Sequence, residues 1–294
     1  MNFLPKNIKP ENLLDCLRKI SFDIFEICRI YNKFSLNNDE FGKILQIKDT
    51  PSGPVTDVDI KINKIILDTL NKYFASQEWE ILSEESKQKK LVSSFQDDWV
   101  WIIDPLDGTK DFIQNTGEYA VHIALTFKKQ VILSNVLIPQ RHESWFYLRG
   151  YGTWCEAKND KKVDIKSLNY KYLEEMVIVT SRNHCPQELK SIIKHLNPLK
   201  VIQMGSIGYK IISILRGEAD LYISYSEKNK SCPKDWDMAA PDSIMRGCNG
   251  FFTNEKGENL EYLTNNQFRQ EGLVIASINK RHLEICNKIK QTIS

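Results

Sequence analysis

Trp101-Ile102-Ile103-Asp104-Pro105-Leu106-Asp107-Gly108-Thr109-Lys110-Asp111-Phe112 is the stretch from which the rest of the chain is read. It opens on an apolar run, the pattern of a buried strand. Pro105 fixes its own φ and biases Asp104 away from helix, so the chain leaves that strand extended. Gly108 permits a tight turn and a close approach of backbone to a ligand. Two carboxylates on so rigid a turn suit a hard divalent cation, which takes oxygen ligands. The same residue types also build plain surface turns, and the stretch alone does not separate the two readings.

Two further acidic segments bear on that choice. Ile81-Leu82-Ser83-Glu84-Glu85-Ser86 again ends a short apolar run in carboxylates, and Asp235-Trp236-Asp237-Met238-Ala239-Ala240 leads into a helix-like stretch through Met245. Asp237 alone also reads as a helix N-cap, where an acid meets the positive end of the dipole. Three acids, each where an apolar segment meets a turn or a helix start, are harder to explain as separate surface features.

Working outward, Asn12 to Tyr31 carries Leu13, Leu14, Leu17, Ile20, Ile24, Ile27, Cys28 and Tyr31 at spacings of three and four, an amphipathic helix. A second helix is expected from Asp57 to Phe74, with Ile62, Ile65, Ile66, Thr69, Leu70 and Tyr73 inward and Asp57 as its cap. Between Trp99 and Trp154, β-rich runs at Tyr119–Leu125, Val131–Ile138 and Ser144–Leu148 are parted by short polar turns, which suggests an antiparallel sheet. After Tyr170 strands and helices alternate: strands at Met176–Ser181, Val201–Met204, Asp220–Ser224 and Val274–Ser277, helices at Gln187–Leu196, Ile207–Arg216 and Met238–Arg246, then a C-terminal helix. The expected class is α/β (α+β), a helix-plus-antiparallel-sheet half over residues 1–150 packed on an α/β half over 151–294. No internal repeat or linker separates them.

Composition narrows the function classes. At 294 residues there is room for about two domains and a large core. A formal charge of +2, from 40 basic and 38 acidic residues, gives no electrostatic case for a nucleic-acid partner. The basic clusters Lys87 to Lys90 and Lys158 to Lys162 read as solvated loops. Seven scattered cysteines without a Cys-x-x-Cys pair argue against a disulfide framework or a zinc site and for a reducing cytosol. No apolar window is long enough for a membrane span. The expected location is cytoplasmic, with a peripheral place on the inner face of the cell membrane left open, as is the oligomeric state.

Glu84-Glu85, Asp104-Pro105-Leu106-Asp107-Gly108-Thr109 and Trp236-Asp237-x-Ala239-Ala240 together resemble the inositol monophosphatase superfamily of magnesium-dependent, lithium-sensitive phosphatases. Within it the chain is most similar to the 3'(2'),5'-bisphosphate nucleotidase branch, through Gly108-Thr109-Lys110-Asp111-Phe112, Ser181-Arg182-Asn183-His184 and Gly205-Ser206-Ile207-Gly208-Tyr209-Lys210. The similarity runs from Pro54-Val55-Thr56-Asp57-Val58-Asp59 to Leu260-Glu261-Tyr262. It implies a layered αβαβα sandwich and hydrolysis of the 3'-phosphate of adenosine 3',5'-bisphosphate, or of its 2',5' isomer or 3'-phosphoadenylyl sulfate, a salvage step of sulfur metabolism.

The resemblance also implies roles. Two or three Mg²⁺ ions are expected, the first held by Glu84, Asp104 and the Leu106 carbonyl, the second by Asp104, Asp107 and Asp237. Thr109 matches the residue that orients and deprotonates the attacking water, Asp59 the carboxylate that hydrogen-bonds that threonine. Glu85 is expected to support the site. The amides of Gly108 and Thr109 would receive phosphate oxygens at a helix start. Lys110, His184, Ser206, Lys210 and Asp237 complete the expected substrate contacts, a cation at 110 meeting a second phosphate. Two departures stand out. Ser224 occupies a place where the branch commonly has arginine, and a hydroxyl does not replace a bidentate guanidinium. Asn249-Gly250 stands for the usual Gly-Gly, which asparagine tolerates. An inositol or other sugar phosphate, or a silent nucleotide-binding role, remain the alternatives.

Overall fold

The fold, taken from a computed structural model, is described for residues 4–5, 8–35, 45–50, 53–77, 79–85, 98–158, 163–228, 230–264 and 267–292. Ser86 and the basic runs at 87–90 and 159–162 lie outside them.

Helix α1 (Pro10–Ser35) extends beyond the expected stripe at both ends, and its first position suits a proline, whose missing N–H would have no helical partner there. A hairpin of β1 (Ile47–Thr50) and β2 (Gly53–Thr56) leads into α2 (Asp57–Phe74). Thr56, not Asp57, caps α2: its hydroxyl accepts the N–H groups of Val58 and Asp59, and the Asp59 carboxylate accepts the Thr56 N–H at 2.8 Å. Asp57 sits one residue inside and accepts from the Tyr31 hydroxyl and the Lys61 ammonium, each at 2.6 Å. Phe74 is buried where Tyr73 was expected, because the inward stripe falls at 62, 66, 70 and 74.

Six strands form the first sheet in chain order: β3 (Glu80–Ser83), β4 (Trp99–Asp107), then, after the short helix α3 (Thr109–Ile113), β5 (Ala120–Phe127), β6 (Gln130–Ile138), β7 (Glu143–Leu148) and β8 (Gly152–Ala157). β3 is parallel to β4 and every other neighbour is antiparallel. This sheet continues to Ala157, past residue 150. The second sheet alternates with helices: β9 (Val177–Ser181), α4 (Gln187–Leu196), β10 (Lys200–Met204), α5 (Ile207–Leu215), β11 (Leu221–Ser226), α6 (Asp235–Gly247), β12 (Phe251–Thr253), β13 (Gly272–Ser277) and α7 (His282–Gln291). Its strand order is β10-β9-β11-β13-β12, with β10 and β11 parallel to β9 and β13 antiparallel to both its neighbours.

The period-2 alternation of β4 and β5 splits the interior into layers. Trp101, Ile103, Val121, Ile123 and Leu125 face α1 and α2. Val100, Ile102, Ala120 and Ala124 face the other way, onto α5, α6 and the second sheet. The outer face of that second sheet, including Ile178, Leu221 and Ile275, packs on α4 and α7. The result is the expected five-layer αβαβα sandwich. One continuous core spans both sheets, so the two halves meet across α5 and α6, and the acidic segments meet there too.

Candidate active site

Alternation along β4 turns Asp104 to the same face as Ile102, toward α5 and α6. Beyond it the β4–β5 register shifts between Asp104 and Asp107. That irregularity, with Pro105 inside it, swings Leu106 into the opposite cluster and brings Asp107 back to the inner layer. Gly108 then takes a left-handed φ of 90° and starts α3 at Thr109. A Cβ at Gly108 would lie 3.2–3.3 Å from the Glu118 carbonyl and Ser206, so both conformation and space call for glycine.

Asp104, Asp107 and Asp237 converge, one carboxylate oxygen of each lying within 4.8 Å of the others. Each carboxylate has one oxygen tied to the surrounding chain. Asp104 Oδ1 accepts the Leu106 N–H at 3.0 Å. Asp107 Oδ2 accepts the Ser206 hydroxyl at 2.6 Å and the Ile207 and Gly208 amides at 2.5 and 3.2 Å, so the N-terminus of α5 holds it. Asp237 is the third residue of α6 and its Oδ2 accepts the Lys234 N–H at 2.5 Å. It is therefore not the N-cap, because the helix begins at Asp235 rather than Met238. Asp104 Oδ2 is buried with no hydrogen-bond partner among the described residues. A buried carboxylate oxygen left without a donor is costly unless a cation answers it.

Glu84 joins from β3. Its N–H donates to the Ile103 carbonyl at 3.1 Å, carrying the parallel ladder one residue further and setting its carboxyl beside that of Asp104. The residue keeps an open face, but the carboxyl is hemmed in on its other sides, and that crowding governs its proton affinity. Burial first, then the charges of Asp237 and Glu85, hold the Glu84 carboxyl well above the ordinary range. Asp104 is raised likewise by burial, then by Glu84 and Asp107. Asp237 is pushed up to about 7, by burial and then by Asp107, and Glu85 to about 7 by burial and Asp59. Carboxylates that resist ionising together answer a missing positive charge. The donor set is all oxygen, which fits Mg²⁺ and no soft metal.

Thr109 lies at the edge of this cluster. Its hydroxyl is 3.0 Å from Asp59 Oδ1 and 3.1 Å from the Leu106 carbonyl, and both can only accept. Asp59 is buried, and that burial raises its pKa against the hydrogen bonds it receives from Thr56 and Thr109. A carboxylate with raised proton affinity behind the hydroxyl makes Thr109 Oγ1 a better proton acceptor on its open side. The Leu106 carbonyl, expected as a ligand, is here engaged with Thr109.

The expected substrate residues divide. Lys110 is exposed on the first turn of α3. His184 keeps an exposed face, and partial burial, then the positive charges of Lys110 and Lys210, lower its pKa. Lys210 is fully buried, its ammonium donating to the Gly205 carbonyl, and burial lowers its pKa to about 8 against the pull of Asp107, Asp111, Glu118 and Asp237. Ser206 is buried as well, committed to Asp107 and, as the cap of α5, to the Tyr209 N–H at 3.1 Å. Ser224 is buried on β11.

Two features went unread in the sequence. Arg182 bridges the buried Asp111 and Glu118 through separate guanidinium nitrogens, Asn183 donates to Asp111 at 3.1 Å, and Glu118 accepts the Gly205 N–H at 3.0 Å. This network ties α3 to the loop before α5 across the two halves. The second feature is His122, the one polar residue of the run Tyr119–Leu125, which is fully buried behind Asp107. A polar residue alone in an apolar strand is the signal that marks it.

The Inositol monophosphatase family profile matches residues 9–294. The 3'(2'),5'-bisphosphate nucleotidase CysQ of Buchnera aphidicola is 30% identical over 222 residues, covering 75% of this chain and 78% of that protein. The extragenic suppressor protein SuhB of Bartonella henselae superimposes with a TM-score of 0.74 at 22% identity over 95% of this chain and 98% of that one. An IMPase/NADP phosphatase complexed with Mg²⁺ and phosphate superimposes at 0.72, with 20% identity over 94% and 95% of the two chains. Among the described residues no helix is long and apolar enough to cross a membrane.

Proposed function

Since this chain belongs to the inositol monophosphatase family, a family of Mg²⁺-dependent phosphatases acting on small phosphate esters, we propose that it removes the 3'-phosphate of adenosine 3',5'-bisphosphate, giving AMP and phosphate. The 2',5' isomer and 3'-phosphoadenylyl sulfate present the same ester to the same site. The observation that carries the reading is the gathering of Asp104, Asp107 and Asp237 within 4.8 Å, with the Asp104 Oδ2 left unanswered.

Glu84, Asp104, Asp107, Asp237 and the Leu106 carbonyl are the groups proposed to hold Mg²⁺. When bound, that cation supplies charge neutralisation of the ester and a nucleophilic water near neutral pH. Thr109 Oγ1 would orient that water and accept a proton from it while passing its own hydroxyl proton to Asp59 Oδ1. The water oxygen would bond to phosphorus as the bond from phosphorus to the ribose 3' oxygen breaks, and that oxygen would take a proton from solvent as it leaves. The Gly108 and Thr109 amides at the start of α3 receive phosphate oxygens. Ser206 serves the site through Asp107, and Lys210 by holding the Gly205 carbonyl while adding positive potential. Lys110 and His184 flank the cleft on the side where a second phosphate would lie.

Support for the bisphosphate comes from the exposed Lys110 and His184, and from the CysQ relatives. Ser224 in place of a guanidinium favours a sugar phosphate instead. Phosphate release from adenosine 3',5'-bisphosphate and from inositol 1-phosphate separates the two. A preference for the nucleotide of about tenfold or more, the worth of one ~1.4 kcal/mol contact, is expected, and Lys110→Thr should erode it. A preference for the inositol ester, unchanged by Lys110→Thr, refutes the nucleotide reading.

A further inference from the structure

His122 has no part in the reading above, yet its surroundings are specific. β4 and β5 pair Asp104 directly opposite His122, so both project into the layer where the acids meet. The imidazole is fully buried, with Nε2 3.4 Å from Asp107 Oδ2 and Nδ1 3.3 Å from the Trp236 carbonyl, one residue before Asp237. Nε2 makes no hydrogen bond in this arrangement. A buried ring nitrogen without a partner costs roughly 1–3 kcal/mol, so burial for its own sake does not account for a histidine here.

The ring is also held by shape. Gly208, the second residue of α5, leaves a notch for it: a Cβ there would come within 2.2 Å of His122 Nε2. Because the Gly208 N–H itself donates to Asp107 Oδ2, the ring and the carboxylate are seated against the same turn. Asp107 comes from the first sheet and Trp236-Asp237 from α6. The imidazole is thus a rigid spacer between Asp107 and the Trp236 carbonyl, one residue from Asp237.

We infer that His122 is a positioning residue, bridging Asp107 and the Trp236 carbonyl so that the Asp107 and Asp237 carboxylates keep the separation a divalent cation requires. The Trp236 carbonyl can only accept, so the ring donates to it from Nδ1 and rests Nε2 against Asp107 as a spacer. The inference rests on the proposed metal role of these acids. Groups just outside the ligands of a metal commonly change its affinity by about 10–100-fold when removed.

The test is Mn²⁺ affinity, read by electron paramagnetic resonance on the full chain without substrate. His122→Leu keeps the bulk and loses both nitrogens, and weakening by about 10–100-fold is expected. His122→Asn keeps one donor and should bind within several-fold of the parent chain. Gly208→Ala puts a methyl where Nε2 sits and should weaken binding as His122→Leu does; it decides the matter if His122→Leu fails to fold. Parental affinity in His122→Leu or Gly208→Ala overturns the inference, as does an equal loss in His122→Asn and His122→Leu. Failure of the parent chain to bind Mn²⁺ would instead remove the metal reading itself, and His122 with it.

Discussion

Removing one carboxylate from the cluster should stabilise the metal-free protein, and Asp237→Asn is the variant in which the effect can be sized. The carbonyl oxygen of the substituted side chain can still accept the Lys234 N–H, so the start of α6 is kept. What disappears is a charge the site resists: the Asp237 pKa rises from 3.8 to about 7 through burial and the neighbouring Asp107. At about 1.4 kcal/mol for each pH unit between those values, ionising it in the fold costs at most ~4.5 kcal/mol. The residue is part-exposed and lies among other acids, so about half of that, ~2 kcal/mol, is the working figure.

The sign follows from linkage. A carboxyl whose native pKa lies above its unfolded value costs nothing below about pH 4, and stability is lost as pH rises through about 7. The gain in Asp237→Asn should therefore be full at pH 8 and about a quarter of that at pH 4.5. In a chain of this size 1 kcal/mol moves Tm by about 2–4 °C, so a rise of about 4–8 °C is expected at pH 8. Scanning calorimetry in EDTA at both pH values measures it. With Mg²⁺ the order should reverse, since the parent chain gains a ligand that the variant binds poorly. A variant that melts at or below the parent at pH 8 in EDTA would show that the carboxylate is a structural cap and not a strained ligand.

Three further outcomes follow. Asp104→Asn should abolish measurable phosphate release while circular dichroism and apo Tm match or exceed the parent, since it removes the most enclosed of the three charges. Thr109→Val should lower kcat by about 10²–10⁴-fold, the usual range for a positioned proton acceptor, with Mn²⁺ affinity nearly unchanged. Gly205→Ala would set a methyl 2.3 Å from Asp111 Cγ and 2.5 Å from the Glu118 carbonyl, so a loss of about 1–3 kcal/mol on thermal or denaturant unfolding is expected.

What the sequence made legible is local. The strand, proline, paired acids and left-handed glycine of 101–112 are set by neighbours along the chain, and α4 begins and ends at Gln187 and Leu196 as the spacing of its apolar residues requires. The layering was readable in the change from short-turn strands to strand–helix alternation. What stayed hidden depends on pairing at a distance. His122 becomes significant only once β4 and β5 set it opposite Asp104. The ion network of Arg182 with Asp111 and Glu118 crosses from one half of the molecule to the other, over separations no local pattern encodes. Lys210 read as a ligand-facing cation because its motif said nothing of depth; the apolar faces around α5 bury it. Asp57 does not cap α2 because Thr56, one residue earlier, does that work together with Asp59.

An anomalous difference map from crystals grown with Mn²⁺ tests the central claim most directly. Density within ligand distance, about 2.0–2.3 Å, of carboxylate oxygens from Asp104, Asp107 and Asp237 is the predicted result. Density confined to other parts of the chain, or none at saturating Mn²⁺, would contradict it.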